Sequence, residues 1–146
     1  MVISYLHIAT CLLILAEPPK ETNKDVQGLI GKWNCKSIRT HGIDLVGQDF
    51  EDTKFDITLK KAEMIVKSND ASQTWSYRLD SAANPKSIDI SYEEEGKPVT
   101  LKGIYRVDNG ELTLCWDVPG RERPKEFKSE PKSTVQVIVF RRAGRD

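Results

Sequence analysis

Histidine and cysteine are scarce in this chain of 146 residues, which holds only His7, His41, Cys11, Cys35 and Cys115. No Cys-x-x-Cys spacing occurs, so the familiar zinc ligand sets are missing and no metal or cofactor is expected. Net charge is missing too, since Lys plus Arg and Asp plus Glu each number 22. That balance removes any long-range pull toward nucleic acid or anionic lipid, and neither is an expected partner. Helical periodicity of crossover length is absent as well, which disfavours βαβ units and a parallel sheet. A phosphate cradle is also wanting. Gly120-Arg121-Glu122-Arg123-Pro124 places one glycine before two arginines without a backbone nest or a following helix.

What is present fits one globular domain: 38% hydrophobic and 30% charged residues, in a length that supports one core and not two. Residues 2–16 (VISYLHIATCLLILA) carry no charge and run directly into Glu17-Pro18-Pro19-Lys20. A membrane span needs about 20 apolar residues, whereas a run of this length suits a signal-peptide core, with Ala16 as the small residue before the cut. No basic side chain precedes the run and Ile14 is bulky, so an uncleaved anchor through residues 1–16 stays open as the alternative. Ile8-Ala9-Thr10-Cys11 approximates a lipidation box only loosely. The expected organisation is a signal peptide over 1–16, a flexible leader over 17–25, a barrel domain over 26–142 and a tail over 143–146. The product is expected to be exported, periplasmic or extracellular, with no membrane contact after cleavage.

Within the domain, Val26, Leu29 and Ile30 stand at i, i+3 and i+4 behind Asn23, which predicts one short helical turn. From Gly31 the period becomes two. Eight strands are predicted, over 31–39, 54–60, 63–68, 73–80, 87–93, 99–108, 111–117 and 133–142. Phe55, Ile57 and Leu59 oppose Asp56, Thr58 and Lys60; Leu112, Leu114 and Trp116 oppose Glu111, Thr113 and Cys115. One apolar and one wet face per strand is the pattern of an antiparallel sheet curled around its own core. Asn109-Gly110 is a strong type I′ hairpin signal, and Ser68-Asn69-Asp70, Asn84-Pro85 and Glu95-Gly96-Lys97 are ordinary turn chemistry. The fold class is therefore all-β: an eight-stranded antiparallel up-and-down barrel with a short N-terminal helical turn, closed so that no edge remains.

Four segments, in order, carry a resemblance: Gln27-Gly28-Leu29-Ile30-Gly31-Lys32-Trp33, Asn84-Pro85-Lys86-Ser87-Ile88-Asp89-Ile90, Gly103-Ile104-Tyr105 leading to Leu112-Thr113-Leu114-Cys115, and Arg123-Pro124-Lys125-Glu126-Phe127. Over about residues 26–142 the chain resembles an uncharacterised lipocalin-like domain family of planctomycetes. The resemblance implies a lipocalin-like barrel behind an export signal and brings no catalytic residues. Cys35 departs from it, standing where an aliphatic residue is expected. Gly31-x-Trp33 also looks like the lipocalin first-strand motif, in which a basic residue late in the last strand covers the tryptophan. Strand parity selects Arg141: Val135, Val137, Val139 and Arg141 share one face, with Gln136 marking the other as outward. Trp33 and Arg141 should thus form the closed end, as structure and not as a ligand site.

The longest connections, 40–53 and 118–132, should both rise at the opposite rim. The first carries Asp44, Asp49, Glu51 and Asp52, the second Arg121, Arg123, Lys125 and Lys128, so a charged latch over the mouth stands against two merely solvated loops. Cys35 faces inward and Cys115 outward, which keeps them apart, so both should be free thiols. A Cys35–His41 nucleophile pair fails on placement, and Glu93-Glu94-Glu95 reads as a solvated tip. No catalytic constellation emerges, and no enzyme is expected. The inward aromatics Trp75, Tyr77, Tyr92, Tyr105 and Trp116 are the ligand-binding candidates. Two functions stay open: an exported barrel holding a small apolar ligand in its mouth, or a structural or protein-interaction domain of the cell envelope with a side-chain-filled barrel.

Overall fold

The computed structural model describes residues 23–46 and 55–144. The expected signal peptide with its anchor alternative, leader residues 17–22, and Asp49, Glu51 and Asp52 lie outside the described residues. A helix, α1 (Asn23–Leu29), precedes nine strands: β1 (Gly31–Thr40), β2 (Ile43–Val46), β3 (Phe55–Leu59), β4 (Glu63–Ser68), β5 (Ala71–Asp80), β6 (Ser87–Glu94), β7 (Lys97–Asp108), β8 (Glu111–Trp116) and β9 (Gln136–Arg142). Neighbours are antiparallel in the order β2-β1-β3-β4-β5-β6-β7-β8-β9, and β1 also pairs with β9, which closes eight of the strands into a lipocalin-like barrel.

The ninth strand, β2, was not anticipated. It pairs with Ser37–Thr40 of β1, while β3 pairs with Gly31–Asn34 of the same strand edge. β2 and β3 therefore pair with successive stretches of β1. Its hairpin turns at His41 (φ 52°) and Gly42 (φ 74°), the same left-handed pair that Asn109 (φ 49°) and Gly110 (φ 74°) supply between β7 and β8. The leader is also shorter than expected, because Asn23–Asp25 already belong to α1.

Alternation of burial decides which faces meet. Ile57, Leu59, Leu79, Ile90, Leu112, Leu114 and Phe140 point into one core with Trp33, and Val26 and Leu29 of α1 close it from below. A second, smaller cluster lies outside the wall: Ile104, Cys115 and Val137, covered by Phe127 and Val135. This explains why Val135 and Val137 are apolar on the outer face while Ile138 and Phe140 fill the inner one.

That double burial corrects the expectation for the closed end. Arg142, not Arg141, covers Trp33, its guanidinium carbon 4.2 Å from the ring centroid. Ile138, Phe140 and Arg142 share the inner parity, while Val137 and Val139 face outward opposite Cys115 and Thr113. Gln136, read as an outward marker, faces the interior, and Arg141 reaches Glu111 at 3.6 Å on the exposed side. Arg142 also donates to the carbonyls of Ile30 (3.0 Å) and Gly28, and Trp33 Nε1 donates to Leu29 O at 2.9 Å. Gly31, at φ 132°, must be glycine: a Cβ there would sit 2.9 Å from Arg142 Nη1.

Removing this guanidinium forfeits a cation–π contact and two carbonyl bonds at the helix end. Arg142→Ala should destabilise the protein by about 1–3 kcal/mol in urea unfolding. Arg141→Ala should stay within about 0.5 kcal/mol of the parent. Equal effects of the two substitutions would contradict the assignment.

Candidate functional site

Above Trp33 the barrel is not filled. A cavity of about 420 Å³ opens toward the end opposite α1, between β1, β3, β4, β5, β7, β8 and β9. Its wall is apolar, with Phe55, Met64, Leu101, Leu114, Ile138 and Phe140 prominent, and the Phe55 and Phe140 rings meet edge to face at 5.6 Å. Polar atoms come only from Ser68, Gln73, Gln136 and the indole nitrogens of Trp75 and Trp116 among the described side chains that line it. None of those lining residues is ionisable. A space of this size with a few neutral polar groups suits apolar groups, and among the described residues that line it Ser68 supplies the one hydroxyl.

The five aromatic candidates separate into three places. Trp75 and Trp116 line the cavity. Tyr77 and Tyr105 are buried in the packed core below it, Tyr77 with its hydroxyl donating to Lys60 O at 2.5 Å. Tyr92 stands outside the cavity, its ring stacked on Trp75 with centroids 4.8 Å apart. Burial, and then the charge of Glu94, raises the Tyr92 phenol above its ordinary pKa. The aliphatic lining, Ile38, Ile57, Val66 and Leu101 among it, was not singled out from sequence, because a cavity wall and a filled core show the same alternation.

The loop over 118–132 is not a flap over this mouth, and that expectation is corrected. None of its residues lines the cavity; it lies along the outer wall. Arg123 fastens it, donating to Gly103 O (2.8 Å), Ile88 O (3.2 Å) and Asp89 Oδ1 (2.7 Å). Phe127 packs under Arg106, whose guanidinium carbon is 4.6 Å from the ring centroid. Ser129 accepts from Gly42 N at 3.4 Å. Lys128 pairs with its neighbour Glu130, and Asp44 with Arg39 in its own hairpin, so these charges are satisfied locally and not across the mouth.

No family model, curated protein or solved structure matches the chain.

Cys35 lies in the core and Cys115 beneath the outer loop, both as buried thiols outside any disulfide, on opposite sides of the wall. Burial, with Asp117 adding to it, pushes the Cys115 thiol up to about 11 from 9.0, against a smaller opposing hydrogen bond from the Lys128 backbone. The folded state therefore holds this proton more tightly than the unfolded chain does. The stability that this adds is fully present below pH 9.0 and is lost as pH rises toward about 11. At pH 8, iodoacetamide should leave both positions unmodified in the folded protein and alkylate both in urea, read by peptide mass. Fast modification of Cys115 under native conditions would show that the loop over 118–132 does not cover it.

Proposed function

We propose that this chain is an exported lipocalin-like binding module that holds a small, largely apolar molecule inside the barrel. The observation that carries the reading is the cavity of about 420 Å³, apolar and without an ionisable lining residue among those described. A barrel of eight strands has room for side chains or for one small ligand, and here the side chains leave room. That vacancy counts against the alternative of a structural domain with a filled interior. The likeness to the planctomycete lipocalin-like family agrees in kind, and so does the charge-free run over residues 2–16 that motivates export. No helix among the described residues is long and apolar enough to cross a membrane.

Trp75 and Trp116 report on the site from within. An uncharged naphthylamine probe should bind at one site per chain, gain fluorescence by energy transfer from these indoles, and raise the melting temperature. Val66→Trp, which puts a large ring into the same space, should weaken binding at least about tenfold while the protein still unfolds cooperatively. Saturable binding that is unchanged in Val66→Trp would place the probe elsewhere, and no binding at all would end this reading.

A further inference from the structure

The apolar cavity does not end at a backbone wall. The ladder between β5 and β6 runs from Asp80–Ser87 to Ser76–Ser91 and stops, although β5 reaches back to Ala71 and β6 on to Glu94. Continued pairing would set Trp75 opposite Tyr92 and Thr74 opposite Glu93. The strands instead give up their bonds there, and the stacked Trp75 and Tyr92 rings occupy the split. On its outer side lies an open cleft of about 660 Å³. Cavity and cleft share two lining residues, Gln73 and Trp75, and these are bonded to each other, Trp75 Nε1 donating to Gln73 Oε1 at 3.1 Å. A partition of side chains, and not a ladder of backbone bonds, separates the two spaces.

The two spaces differ in chemistry. The cavity is apolar, whereas the cleft is edged by the carboxylates of Glu63 and Glu93 and the hydroxyls of Thr74, Ser76 and Ser91. No lysine, arginine or histidine is among the described residues that line it. A molecule spanning the partition would put its hydrocarbon among Phe55, Leu101 and Ile138 and its head beside two carboxylates and two aromatic rings. We propose that the ligand is a single-tailed amphiphile with a hydrogen-bonding cationic head, its tail in the cavity and its head in the cleft. This rests on the cavity being a ligand site, as argued above. A cation gains from both carboxylates and from the exposed ring surface, while a carboxylate or phosphate head would meet like charge with no counter-ion. The chain has no formal net charge, so no whole-chain attraction favours either sign of head group.

The experiment titrates the full chain at pH 7 and low salt with decylammonium, decanol and decanoate, each below its micelle concentration, with tryptophan fluorescence and calorimetry as readouts. Decylammonium should bind about tenfold more tightly than decanoate, and added salt should narrow the gap. In the Glu63→Gln/Glu93→Gln double variant the two should fall within about twofold of each other, with decanol affinity unchanged. Decanol affinity also serves as the control that this variant is folded. Binding of all three with no head-group preference, or a preference that survives the double variant, overturns the proposal and leaves the apolar site standing. Failure of decanol itself to bind overturns both.

Discussion

A barrel exists only if its first strand finds its last, and in this chain that meeting is secured by Trp33. The indole is fully buried, its nitrogen satisfied by Leu29 O and its face covered by Arg142. Each partner belongs to a different part of the chain: α1 from before the barrel, β1 where it starts, β9 where it ends. Arg142 then reaches past the ring to the carbonyls of Gly28 and Ile30, so the guanidinium also serves the C-terminal end of a helix whose last carbonyls lack intrahelical partners. A helix of seven residues has little stability alone. It persists because Val26 and Leu29 are buried in the barrel and its end is held by the last strand. Helix, closure and core bottom are thus one cooperative unit, and Gly31 is the residue whose missing side chain lets the guanidinium in.

The outer wall shows the same logic in a second place. A strand buried on one side is expected to alternate, yet β9 does not, and neither do Ile104 and Cys115. The loop over 118–132 explains this by covering them with Phe127 and tying itself down through Arg123. Two of the three Arg123 bonds go to backbone carbonyls, Ile88 O and Gly103 O, close to the glycine whose added Cβ would lie 2.9 Å from Cys115 O. Gly103 keeps β7 and β8 close where the loop crosses. A loop held as wall cladding is not available as a lid, so among the described residues the cavity is lined by strands.

These same residues show why the sequence was legible in some places and not in others. One-sided alternation identified seven of the barrel strands closely, and Asn109-Gly110 identified its hairpin, because burial of one face and positive φ leave direct marks on residue type. His41-Gly42 leaves the same mark less plainly, and with it β2 could have been found. Parity failed on β9, where valine lies on both faces and Gln136 turns inward to a cavity. The choice of Arg141 over Arg142 followed from that single inversion. Trp75 and Trp116 line the cavity, whereas Tyr77 and Tyr105 share their parity but sit lower in the barrel, and depth along the axis is not written in a period of two.

Depth is also what gives the two ends different physical characters. At the closed end every element is cross-tied by backbone pairing, by the indole and by a guanidinium with three interactions. Away from that end pairing is given up where β5 and β6 diverge beyond Ser76–Ser91. Ladder bonds lost at a strand edge are costly unless something shields or satisfies the exposed groups, and edges left bare invite association. At this break an aromatic stack stands beside the gap, partly buried and packed against the core. Rings held by one neutral hydrogen bond and by stacking can move aside at far lower cost than a laddered pair can open. A fold that fastens one end so thoroughly leaves the gap between β5 and β6 to side chains, with an apolar space on one side and an acid-edged one on the other.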